Sequence, residues 1–434
     1  MPLSYFLYRD DAPLPYAAMV ILWIGFALAA VGSAVAVMAP LPVWRRAAAS
    51  LGGLWWYAGI TGAISVGAME LSQLLWEPTA TLTFNLVRRL LLPVLPTLTA
   101  DPVARTLSTE RFAIEITSYC SGLEGVGLVL AFCTAWLICF RREYIFPRAL
   151  ALIPAGLAAI FALNVVRIAV LMLIGYAGYP DVALYGFHSQ AGWIAFIAVA
   201  CGVVLLSRRF AWLYRMPATP ATVADQDNPT ATYLMPLLAI LAAGMISHAI
   251  SGSFEYFYPL RVMAALAALG FFWRKLAVLD WRCSWRGPAI GVAVFLVWFI
   301  GARYLMSPTA MPERLAAMST LLRSGWIFCR IVGSVVFVPI AEELAYRGYL
   351  MRRLCDADFR SVSYRSVSGI ALLASAVLFG LAHGTMWLPG ILAGGAYGLL
   401  VMRSGQLGES VVAHATSNAL IAASALLFGQ WQLW

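Results

Sequence analysis

Charge is what this chain has least of. Asp, Glu, Lys and Arg make up 11% of its 434 residues, Lys275 is its only lysine, and it holds four histidines. The near-absence of lysine, with arginines gathered in short loops rather than along one face, argues against nucleic-acid binding as the reason for the net charge of +9. The seven cysteines (120, 133, 139, 201, 283, 329 and 355) are scattered without a CxxC pair, which argues against a disulfide framework or a zinc knuckle. No basic stretch and no small-residue cleavage site follows Met1-Pro2-Leu3, so no removable signal peptide is expected. No repeat joins the two halves, which weakens the rival reading of a transporter built from paired repeats.

What the chain does have is apolar length. It is 62% hydrophobic, and apolar runs of about 17 to 22 residues recur, the length needed to cross roughly 30 Å of hydrocarbon. The expected fold is an all-α polytopic membrane protein of about twelve spans, near 16–38, 48–69, 121–140, 149–174, 189–207, 233–250, 259–273, 288–306, 319–341, 366–383, 388–402 and 409–430. Arginine-rich loops fall on alternate connections, which puts both termini outside the cytoplasm. The outside stretch 70–120 should hold an interfacial helix around Phe84–Leu92, ended by Pro93, and a short half-exposed strand in Phe112–Thr117. A Pro-, Thr- and Asp-rich linker, 215–232, divides two helical membrane domains, 1–214 and 233–434, whose cores are expected to share no helices.

In so apolar a chain, ionisable groups inside spans carry the functional information. Cys120 sits in Cys-Ser-Gly-Leu-Glu-Gly where a span begins, Arg167 interrupts the span Leu163–Val170, and His188 opens the next. The topology brings all three to the same outer face. A thiol nucleophile, a histidine acid or base and an arginine for a tetrahedral oxyanion suffice for acyl transfer. Taken singly, each has a bland reading: a buried small hydrophobe, a helix cap, a snorkelling cation.

The second half carries Glu342-Glu343 with Arg347, then Phe379-x-x-x-His383, then His414-x-x-x-Asn418. On a helix Glu343 and Arg347 share a face and can pair, which leaves Glu342, about 100° around, free for chemistry. The alternative is a structural polar network that pins helices together.

The Cys-Ser-Gly-x-x-Gly block, the Asn-x-x-Arg of the next span and the opening histidine resemble the exosortases, membrane transpeptidases that process a C-terminal sorting tail. That likeness covers about 15–210 and implies Cys120 as nucleophile, Arg167 as oxyanion or carboxylate partner and His188 as general acid/base. The blocks EExxxR, FxxxH and HxxxN, intact and in order, resemble the CPBP intramembrane proteases over about 233–434. This second likeness implies that Glu342 and His383 activate water, that His414 and Asn418 orient it or stabilise the oxyanion, and that Glu343 and Arg347 support them. Either no cofactor takes part, or Glu342, His383 and His414 bind zinc.

The two likenesses in one chain are similar to the fused exosortase E/protease type and its Val-Pro-Glu-Ile-Asp (VPEID-CTERM) sorting system. They imply a multi-pass enzyme of the bacterial inner membrane that acts on exported proteins with a tripartite C-terminal signal. The rival class is a transporter or membrane scaffold that retains inactive protease-like helices. The predicted spans put His383 at the far end of 366–383 from Glu342 and His414, so that helix must be short or its start misplaced.

Overall fold

The computed structural model describes residues 16–38, 75–117, 120–215 and 228–434, together with positions 42, 45 and 49. The expected span 48–69, position 49 apart, and linker residues 216–227 lie outside the described residues. The chain divides into two units, 1–75 and 76–434. The first contains α1 (Tyr16–Met38), an apolar helix with no acidic residue in its first turn and no basic residue in its last.

In the second unit, α2 (75–91) is followed by a small antiparallel sheet, β1 (Thr99–Asp101), β2 (Thr106–Ser108) and β3 (Ala113–Glu115), in that order. Register places Leu107 opposite Ile114. Phe84, Val87 and Leu91 of α2 join Leu107, Phe112 and Ile116 to pack on Ile168 and Met172. The expected interfacial helix and strand thus form one cap over the segment that carries Arg167. Gly175 makes the contact possible, because a Cβ there would collide with the Phe112 ring.

Three helices follow: α3 (Leu123–Cys139), α4 (Leu152–Tyr176) and α5 (His188–Ser207), the last entered through a π-helical turn, Val182–Phe187. The second half comprises α6 (Pro229–Ser251), α7 (Pro259–Phe271), α8 (Arg286–Leu305), α9 (Thr320–Arg353), α10 (Gly369–Leu381), α11 (Trp387–Ser404) and α12 (Leu407–Phe428). Large apolar side chains such as Leu163, Val166, Ile197 and Leu296 stand exposed, as they do where lipid is the solvent. Among the described residues, seven helices are long and apolar enough to cross a membrane, and four shorter apolar helices accompany them. The protein is an all-α multi-pass membrane protein with little strand.

Two findings bear on the site. First, α10 has only 13 residues, about 20 Å at 1.5 Å per residue and too short to cross the hydrocarbon. It turns back into α11 as a tight hairpin, with Gly380 against the Trp387 carbonyl and Ile391. His383 lies in the hairpin's turn, which is how the fold resolves its apparent distance from the other site residues.

Second, the halves pack on each other, although among the described residues no hydrophobic cluster draws on both. Asp181 forms an ion pair with Arg314 at 2.8 Å and accepts from the Ser253 hydroxyl at 3.1 Å. A Cβ on Gly186 would stand 2.6 Å from the His248 carbonyl oxygen and 3.0 Å from that of Ala249. The polar composition of the linker describes only the linker. It says nothing of the small residues that let α6 approach the π turn.

Candidate active sites

In the first half, a left-handed residue begins the construction. Gly122, at φ +92°, caps the N-terminus of α3. A Cβ there would meet the Asn164 amide nitrogen at 2.8 Å, so glycine is required both by the backbone and by the neighbour. The space lets the buried Asn164 of α4 donate to the Cys120 carbonyl at 3.1 Å. Arg167 donates to Asn164 Oδ1 at 3.3 Å and lies 3.4 Å from His188 Nδ1.

A guanidinium only donates, so His188 Nδ1 accepts and the neutral ring carries its proton on Nε2. Arg167 is also within electrostatic reach of Cys120 and Glu124. Arg167, His188, Asn164 and Glu124 line one cavity of about 240 Å³. The half-buried Cys120 adjoins it through Asn164, and among the described residues no hydrogen bond joins its thiol to His188. As placed, His188 is set to give a proton from Nε2. Asn164 belongs to the Asn-x-x-Arg block, yet the sequence alone assigns it no role; its signal is the three-residue spacing that puts it on Arg167's face.

The second site is built on α9, whose regular turns are interrupted by π-helical segments at Gly333–Phe337 and Leu344–Leu350. Such insertions rotate side chains out of the 3.6-residue register and recur at functional positions. Glu343 is fully buried and accepts from Arg347 Nη1 at 2.9 Å, the pairing expected of residues four apart. Arg347 also donates to the Gly394 carbonyl of α11 at 2.9 Å and lies over the Phe379 ring at 4.4 Å. Its charge is thereby neutralised and its hydrogen bonds are directed, as a buried cation requires.

The same Glu343 oxygen receives His414 Nδ1 at 3.0 Å. The ring of Tyr397 stacks on His414 with centroids 5.0 Å apart and 20° between planes. The Ser417 hydroxyl gives its proton to the His414 carbonyl at 2.8 Å, so Tyr397 donates to Ser417 across 2.6 Å. His414 is therefore fixed in plane and tautomer, with Nε2 directed toward Glu342 at 3.9 Å. His383 places Nδ1 2.7 Å from the Phe379 carbonyl. A carbonyl only accepts, so the His383 proton is on Nδ1 and its Nε2 lone pair is free for chemistry. Asn418 donates one amide hydrogen to the Ser334 carbonyl at 2.8 Å, in the first π segment.

Glu342, His383, His414 and Asn418 all line a second cavity of about 200 Å³. Glu342 Oε2 is buried there without a hydrogen-bond partner. Among the described residues no group of three His, Cys, Asp or Glu side chains converges as a metal-holding set. Tyr397, Ser417 and Arg330, all on the cavity wall, went unmarked in the sequence because none occupies a fixed position of a block.

Residues 324–420 match the model of the Type II CAAX prenyl endopeptidase Rce1-like family. The matched segment contains Glu342, Glu343, Arg347, His383, His414 and Asn418. No curated protein and no solved structure matches the chain. Residues 324–420 are thus similar to a CAAX-type intramembrane protease, and the enzyme class this likeness indicates is a hydrolase.

Proposed function

We infer that the cavity beneath Glu342 hydrolyses peptide bonds inside the membrane. The observation that carries this reading is the Glu342 carboxylate, whose Oε2 is buried without a hydrogen bond, beside a histidine whose far nitrogen is held by a second carboxylate. Glu342 takes a proton from water as the oxygen attacks the scissile carbonyl, and His383 Nε2 accepts a hydrogen bond from that water and orients it. When Glu342 hands that proton to His414 Nε2, the charge that develops on the ring is balanced by Glu343 on its far side, the logic of a base and its orienting carboxylate. Asn418 keeps one amide hydrogen for the oxyanion while the other anchors it to Ser334. The proton then passes to the leaving amine, and both products leave with closed valences.

For the first half we keep the acyl-transfer reading. The Cys120 thiolate attacks a carbonyl, Arg167 balances the oxyanion, and His188 Nε2 protonates the leaving amine. An acceptor amine or water then releases the acyl group. This reading rests on the Cys120–Asn164–Arg167–His188 chain of contacts and on the exosortase resemblance of the motif. The substrates it implies are exported proteins with a tripartite C-terminal sorting signal, processed in a bacterial inner membrane. The two domains 1–214 and 233–434, and the order in which they act, belong to the same proposal.

The experiment that tests the hydrolytic reading is cleavage of a membrane-embedded reporter in water enriched in oxygen-18, by full-length protein in liposomes. One heavy oxygen in the new carboxylate is expected with Cys120→Ala as with wild type. Cleavage that disappears with Cys120→Ala would assign all the chemistry to the thiol.

A further inference from the structure

Arg330 lies on the wall of the Glu342 cavity without a counter-ion. Among the described residues its guanidinium makes no ion pair and no hydrogen bond. It is held instead by aromatic faces: Tyr258 at 4.7 Å, Trp434 at 5.6 Å and Trp326 at 5.8 Å. Glu255 is the carboxylate whose charge it feels, but that group is already taken by Arg261 at 2.7 and 3.1 Å and by His248 at 3.3 Å. Aromatic faces attract a cation but accept none of its hydrogen bonds in the way a carboxylate does. That leaves the five N–H donors of a guanidinium unanswered. A cation kept in an apolar protein with nothing to bond to is a site for an anion.

Geometry says where the anion would sit. Arg330, Ser334, Val338 and Glu342 all line the cavity, one residue per turn along a single stripe of α9. Twelve residues separate Arg330 from Glu342, about 18 Å at the rise of an α-helix. The π segment between them alters this by little. An extended peptide covers that distance in about five residues. Asn418 and His414 follow the same course on α12, opposite the stripe. The cavity is therefore a trough, with the hydrolytic carboxylate toward one end and the caged cation toward the other.

Building on the endopeptidase reading, we propose that Arg330 recognises a carboxylate of the substrate peptide about five residues from the bond that Glu342 hydrolyses. Both carboxylate sources, a chain terminus and an Asp or Glu side chain, offer the planar pair of oxygens that matches a guanidinium. The aromatic cage holds the arginine in place, so a carboxylate that reaches it gains a charge-assisted pair of hydrogen bonds. A neutral amide at the same place gains far less.

The test is a binding measurement on the full-length chain with Glu342→Gln, so that nothing is cleaved. The probe is an N-terminally fluorescein-labelled octapeptide of leucine, valine and alanine, made with a free C-terminal carboxylate and as the carboxamide. Two further carboxamides carry an internal glutamate or glutamine. Anisotropy in detergent is expected to give a Kd at least about tenfold lower for an acid than for its amide, from a charge-assisted pair worth about 1.5–3 kcal/mol. With Arg330→Met, which keeps the apolar stem, the acid should fall to the amide's affinity while the amide's own is unchanged. Arg330→Lys should retain part of the preference. Preference for the free terminus alone assigns the carboxylate to a chain end, and preference shared by the glutamate peptide assigns it to a side chain.

Equal affinities in the parent protein, no binding of either peptide, or a preference that survives Arg330→Met would each overturn the proposal. Melting temperatures of the variants in the same detergent separate a lost contact from a lost fold. Cleavage is measured apart from binding. If proteolysis survives Glu342→Gln, the endopeptidase reading fails and the binding result stands. If the acid preference is missing while Glu342 is still required for cleavage, the Arg330 proposal alone fails.

Discussion

Glu343 Oε1 receives two hydrogen bonds at once, from Arg347 at 2.9 Å and from His414 at 3.0 Å, and so ties α9 to α12 through one oxygen. Its role in the account is to orient and neutralise, while Glu342 does the chemistry. Glu343→Ala should leave the Arg347 guanidinium, 1% exposed, without a counter-charge. The expected cost is about 3–5 kcal/mol of stability, read as a large drop in melting temperature in detergent. Glu343→Ala with Arg347→Met should be less destabilised than the sum of the singles. Additive losses would mean that the pair is not coupled.

Gly122→Ala forces a side chain onto a φ of +92° and against the Asn164 amide. A loss of about 1–2 kcal/mol from the backbone alone is expected, together with loss of the Asn164–Cys120 contact. The rate of Cys120 alkylation by a charged maleimide, in a background without the other six cysteines, should change several-fold. An unchanged rate and melting temperature would show that the glycine is incidental.

The contact of Gly186 with α6 predicts communication between the halves. Gly186→Val should cost about 1–3 kcal/mol by overpacking and raise hydrogen exchange both in 182–187 and in 248–253. Exchange that rises only in the first segment would show that the two halves open independently. The inter-half ion pair gives a second handle: Arg314→Gln should raise exchange in the same two segments by a smaller amount.

Much of the second site was legible in the sequence, because Glu342, Glu343, Arg347, His383, His414 and Asn418 are groups that hydrocarbon does not tolerate without cause. The pairing of Glu343 with Arg347 followed from helical spacing. The depth of His383 did not, since an apolar run of span length reads alike whether it crosses the membrane or, as α10 does, stops after 13 residues and turns on Gly380. The π segments of α9 leave no mark in composition, so which residues share its cavity face could not be counted at 3.6 per turn. Arg330 escaped notice, although it stands in the middle of the expected span 319–341, because it belongs to none of the blocks; its cage is drawn from Tyr258 just before α7, from Trp326 of α9 and from Trp434. In the first site, Cys120, Arg167 and His188 stood out in the sequence, but the direction of the His188 hydrogen bond, and with it the nitrogen that bears the proton, depends on a contact between two helices.

His383 offers its Nε2 lone pair because Nδ1 is spent on the Phe379 carbonyl. His383→Gln should lower the turnover of a membrane-embedded reporter by about two orders of magnitude or more, as for loss of a general acid–base partner, with little change in its apparent KM. A rise in KM at constant turnover would instead make His383 a binding residue.

The central claim is that the Glu342 carboxylate is the base of an intramembrane endopeptidase. Its most direct test is the initial rate of reporter cleavage by full-length protein in liposomes, wild type against Glu342→Gln, at matched insertion and matched melting temperature. The account predicts a fall of about 10²-fold or more for a substitution that keeps the shape of the side chain and removes only its basicity. A Glu342→Gln protein that cleaves at the wild-type rate would contradict it.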